Sequence, residues 1–222
     1  MKDQYYLDLE KYSLHKFKSS LNSREMIPSR VSLKNDLDER FGILEAHGIS
    51  NLKELISALK TKQKIEHFSM ETGLTKEYLT LLNREAKSYL PNPIRLDKFA
   101  GVPANCVQKL ESLGIKNTRH LLNQARDTEA RVLLSQSTDI PIELLNELVS
   151  LSDLTRAYGV GPVYARLIFD VGIKSIQEFA GKTAEDFIRI YEEKMHKKAD
   201  FGVNEIQFSL ELARELEVAV EF

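Results

Sequence analysis

The residues best suited to chemistry lie in one run, Leu154-Thr155-Arg156-Ala157-Tyr158-Gly159-Val160-Gly161-Pro162-Val163-Tyr164-Ala165. Gly159 and Gly161 flank Val160, and glycines leave backbone amides uncovered. Pro162 follows where the first turn of a helix tolerates proline. Free N–H groups and the dipole at such a helix start attract an anion such as phosphate. Arg156 and Arg166 would supply cations nearby, and Tyr158 and Tyr164 bracket the turn. Each tyrosine is placed to stack on a base or sugar, or to cover the apolar underside of the turn. A second candidate turn, Gly101-Val102-Pro103, has Lys98, Asn105 and Lys109 close to it, but Pro103 lacks an amide donor. The matching place in a first copy reads Asn35-Asp36-Leu37-Asp38, whose two carboxylates would repel phosphate.

Little else carries catalytic chemistry. The five histidines, His15, His47, His67, His120 and His196, form no His-Glu-x-x-His pair, and Cys106 has no partner cysteine. Paired acids such as Asp36 with Asp38, or Glu192 with Glu193, read as helix starts or a solvated face. No Gly-x-x-x-x-Gly-Lys loop or Gly-x-Ser-x-Gly elbow is present. The sequence therefore predicts no catalytic constellation, no cofactor and no metal.

A formal net charge of −2, with 29% charged residues, differs from the strongly basic balance of a dedicated nucleic-acid coater. A single cysteine suits a reducing compartment. No run approaches the roughly 20 apolar residues of a membrane span. The expectation is a cytoplasmic protein with no membrane association.

The elements that must position the turns are helical. Leu14, Phe17 and Leu21, Leu52, Leu55 and Leu59, and Val107 and Leu110 recur with helical spacing, and Leu7 is read with the first set. Ser50, Thr75, Asn117 and Thr183 precede apolar runs as helix starts, and Pro141 suits a first helical turn. No Asn-Gly or Asp-Gly turn joins alternating runs, so an all-α fold is predicted.

A pattern recurs along these helices. Gly48-Ile49, Gly114-Ile115 and Gly172-Ile173 each close one apolar stretch and open the next. An offset of 66 carries Gly48 to Gly114, Thr72 to Thr138 and Leu82 to Leu148. An offset of 58 carries Gly101 to Gly159 and Ile115 to Ile173. This predicts an N-terminal helical segment over 1–29, three repeat units over 30–90, 94–152 and 153–217, and a tail over 218–222. The linker is Ser88-Tyr89-Leu90-Pro91-Asn92-Pro93, where two prolines prevent helix continuation.

Leu154, Ala157, Gly159, Val160, Gly161, Ala165 and Ile168 resemble a helix-hairpin-helix motif. Residues 94–216 resemble the bacterial DUF4332 family through Gly101-Val102-Pro103, Leu113 to Thr118, Leu151 to Leu154, Tyr158 to Pro162 and Asp170 to Ile173. Residues 30–90 resemble a more worn copy. The resemblance implies tandem helix-hairpin-helix-like (SAM-like) repeats and supplies no activity. It also exposes a departure: Val163 and Tyr164 stand where DNA-gripping hairpins often place Lys or Arg. The leading expectation is a non-catalytic scaffold or interaction module that binds a protein partner or itself. The alternatives are sequence-independent DNA or RNA binding through the hairpin amides, and a nucleic-acid-processing enzyme.

Overall fold

The computed structural model describes residues 4–222. Among them the fold is all-α, with thirteen α-helices, two 3-10 helices and no strand. The chain forms two compact units. Residues 7–90 make the smaller one, and residues 4–6 with 91–222 make the larger.

The smaller unit contains α1 (Leu14–Ser23), a 3-10 helix (Pro28–Lys34), α2 (Leu37–Ala46), α3 (Leu52–Ala58), α4 (Lys62–Thr72) and α5 (Lys76–Lys87). Phe17, Leu21, Phe41, Leu44, Leu52, Leu55, Leu79 and Leu82 fill its core. The carboxylate of Glu85 is buried there and accepts from Arg24 and Arg30. Burial of a charge is tolerated when opposite charges pair with it.

The larger unit contains a 3-10 helix (Leu96–Lys98), α6 (Ala104–Ser112), α7 (Thr118–Gln124), α8 (Thr128–Thr138), α9 (Ile142–Leu154), α10 (Pro162–Asp170), α11 (Ile176–Ala180), α12 (Ala184–Met195) and α13 (Val203–Ala213). Its core gathers Leu110, Leu121, Leu145, Leu148, Leu151, Leu154, Ile168, Phe187 and Leu210; α7, α8, α10 and α11 pack on α9, and α13 packs on α11 and α12.

The three Gly-Ile pairs have one local structure. Gly48, Gly114 and Gly172 adopt φ of 81°, 80° and 101°, the left-handed region where an L side chain costs about 1–2 kcal/mol. Each glycine N–H donates to a carbonyl three residues back, on Glu45, Glu111 and Phe169. The following isoleucine N–H donates five residues back, to Leu44, Leu110 and Ile168, at 3.1, 3.0 and 3.2 Å. These paired bonds satisfy carbonyls left open at a helix end. The Ile49, Ile115 and Ile173 side chains are buried. Two residues on, the Asn51, Asn117 and Ser175 side chains accept from the N–H of Glu54, His120 and Glu178. One helix is thus closed and the next opened within four residues.

Several boundaries differ from the sequence expectation. Thr75, Asn117 and Thr183 do cap helices. Asn51 takes the cap instead of Ser50, because Ser50 gives its N–H and hydroxyl to the Glu54 carboxylate. Pro141 is the N-cap of α9, one position before its first turn. Leu7 is buried but precedes α1. Residues 7–29 group with 30–90, and the 3-10 helix Pro28–Lys34 crosses the expected boundary. Residues 94–152 and 153–217 share one unit, with α9 running through their boundary. The 218–222 segment also belongs to that unit: Ala219 and Val220 are buried, and the Glu221 N–H donates to the Arg126 carbonyl at 2.9 Å.

Candidate functional site: the turn between α9 and α10

The turn begins with tight backbone bonds. After Leu154, the N–H groups of Arg156 and Ala157 each donate three residues back, to Asp153 and Leu154, at 3.1 Å. Gly159 then adopts a φ of 75°, and the Val160 N–H returns to the Ala157 carbonyl at 3.2 Å. Val160 is buried under the turn, and the buried Ala157 and Ala165 present minimal side chains. Gly161 is the N-cap of α10 with φ −84°, and no atom lies near the position of an added Cβ. Gly159 therefore needs to be glycine for its backbone, whereas Gly161 does not. Pro162 occupies the first turn of α10, and no side chain caps that end.

The side chains expected to serve a phosphate are engaged elsewhere. The Arg156 side chain is fully buried. Its Nη1 donates to Asp153 Oδ1 at 2.6 Å and its Nε to the Tyr5 carbonyl at 3.2 Å. Its Nη2 donates to the carbonyls of Gln4 and Glu217 at 2.8 and 2.7 Å. The second carboxylate oxygen of Asp153 accepts the Ile176 N–H at 2.8 Å. Burial pushes the Asp153 carboxyl upward, while Arg156 and this amide pull it down. Arg156 is thus a correction to the sequence reading: it is an internal cross-link and presents no charge to a surface ligand.

Arg166 is mostly covered, at 19% side-chain exposure. It donates to Glu147 at 2.6 Å and to the Ala100 carbonyl at 2.9 Å, and lies 3.5 Å from Asp170. It thereby brings the second turn beside α10, since its Nη2 lies 4.0 Å from the Cβ position of Gly101. Its charge is offset by two carboxylates. Tyr158 packs edge-on against Phe208, with ring centroids 4.7 Å apart, and its carbonyl accepts from the Ser209 hydroxyl. Tyr164 lies against Phe201, and burial raises its phenol pKa. Both tyrosines therefore cover the underside of the turn.

Around the second turn, Lys98 and Asn105 are exposed, and the Asn105 side chain accepts from the Cys106 N–H. Lys109 donates to the Asp139 carbonyl at 2.9 Å and lies 3.6 Å from its carboxylate. Gly101 has a φ of 81°. The sequence reading missed Asp139, Glu147 and the carbonyls of Gln4, Tyr5 and Glu217. Asp153 and Asp170 were visible as acids that balance Arg156 and Arg166 in number, and the structure makes that balance two direct ion pairs.

Among the described residues no group of His, Cys, Asp and Glu is arranged to hold a metal ion. A shallow cavity of about 210 Å³ lies elsewhere, beside the second Gly-Ile turn, lined by Leu113, Gly114, Ile115, His120, Asn123 and Gln124. No helix of the described residues is long and apolar enough to cross a membrane.

The fold and the turn define an all-helical protein whose recurring Gly-Ile turns join short helices. The chain belongs to the DUF4332 family, a domain of unknown function, whose profile matches residues 101–215. No curated protein and no solved structure matches it.

Proposed function

We propose that the chain is a non-catalytic interaction module, built of three helix-hairpin-helix-like repeats, that presents its helical surface to a protein partner. The observation that carries this reading is the neutralisation of the hairpin cations. Arg156 is buried against Asp153, and Arg166 and Lys109 are paired with acids. A phosphate approaching the 159–161 turn would meet uncapped amides and an exposed Val163, at 77% exposure, instead of a guanidinium. Sequence-independent nucleic-acid binding needs cations that release counterions, and beside the second turn Lys98 is exposed with the acid Asp97 next to it in the chain.

The test has two arms. Fluorescence anisotropy with labelled duplex DNA and RNA at about 50 mM salt, where phosphate contacts are strongest, should give no saturable binding. A tagged chain recovered from its native host should carry a stoichiometric protein partner that a Val163→Asp chain loses. Salt-sensitive DNA binding that weakens in Lys98→Glu would overturn the reading.

A further inference from the structure

Residues 4–6 form a bend belonging to the larger unit, although the next 84 residues of chain make the smaller one. None of the three lies in a helix. They are nevertheless gripped along both backbone and side chains. Arg156 takes the carbonyls of Gln4 and Tyr5, and Arg126 donates to the Gln4 side-chain oxygen at 2.7 Å. Tyr5 is 2% exposed, and its hydroxyl bonds the Thr118 hydroxyl at 2.7 Å. Thr118 is held in turn by the Ile94 N–H at 3.0 Å. The Arg119 guanidinium lies over the Tyr6 ring at 5.3 Å.

We propose that α7, the Ile94 segment and the end of α9 form a tyrosyl-peptide groove that the chain's own residues 4–6 occupy in cis as a releasable strap. The groove is built for a peptide. Its deepest group, Arg156, binds successive backbone carbonyls, and its pocket ends in a hydroxyl that matches a phenol. Without the strap, buried Arg156 keeps Asp153 and the Glu217 carbonyl but loses two acceptors. Another carbonyl-bearing chain that enters the vacated groove restores both acceptors. Release breaks no helix, because the strap is not part of one. Local opening of this kind costs less than global unfolding.

The groove lies apart from the Val163 surface of the interaction-module reading and adds to it a second site, whose ligand class is a tyrosine-containing peptide. Displacement of the strap can be measured with no foreign partner, so failure of one reading is distinguishable from failure of the other. The probe is a fluorescent synthetic peptide of residues 1–10. In the full chain, Tyr5→Ala weakens the strap's hold. The peptide should bind this variant at least tenfold more tightly than wild type, and a Tyr5→Ala peptide should not bind. Equal binding to both chains, or none to a variant of native helicity, overturns the proposal. If Tyr5→Ala fails to fold, Tyr5→Phe carries the test. Chymotrypsin should then cut at the strap at least threefold faster than in wild type, with cleavage elsewhere in the chain unchanged. Unchanged cleavage, or cleavage that tracks global unfolding, overturns it.

Discussion

Replacing Arg156 by alanine separates a structural arginine from a phosphate-binding one. The substitution leaves Asp153 buried, still accepting from the Ile176 N–H but without its guanidinium partner. It also removes the Arg156 donors from the carbonyls of Gln4, Tyr5 and Glu217. Removing one partner of a buried ion pair costs about 3–5 kcal/mol. For a domain of this size each kcal/mol moves the melting temperature by about 2–4 °C, so the larger unit should melt about 6–20 °C lower. Calorimetry on the full chain is the assay, since two units can give separate transitions. The double variant Asp153→Leu/Arg156→Met should recover much of the loss, because a well-packed apolar pair removes the unpaired charge. A shift within about 0.5 kcal/mol, the range of ordinary surface substitutions, would refute the reasoning.

Gly159→Ala should destabilise by about 1–2 kcal/mol because of its positive φ, whereas Gly161→Ala should be near neutral by the same melts. Asn117→Ala, which removes the cap of α7, should cost about 1 kcal/mol in urea unfolding. Burial holds the Tyr78 phenol up to about 12 and raises Tyr89 as well. Both folded-state values exceed the unfolded one, so their contribution is complete below about pH 10 and is lost as pH rises. The melting temperature of the 7–90 unit should accordingly fall between pH 10 and 12, alongside tyrosinate absorbance. Tyr78→Phe should flatten that decline.

The helices and their joints were legible because both are written locally. Gly114 needs a positive φ, and Asn117 follows at the spacing that a helix start requires, so four residues specify the turn. The fate of the site was less legible, because it depends on distant partners. Arg156 reads as a surface cation beside a glycine turn, and Asp153 three residues earlier hints at pairing. The carbonyls of Tyr5 and Glu217 complete its burial, and nothing in periodicity links positions 151 and 61 residues apart. Tyr158 and Tyr164 were ambiguous for the same reason: Phe208 and Phe201, which cover them, lie on and just before α13.

The placement of Tyr5 has a consequence during synthesis. The acceptor carbonyl emerges early, but Arg156 is added 151 residues later. At about 5–20 residues per second, Tyr5 waits about 8–30 s for its partner. In that interval the whole 7–90 unit has been made and can fold around its own core. Residues 4–6 thus find their place only after the 7–90 segment that follows them has been made, and the larger unit closes after the smaller one.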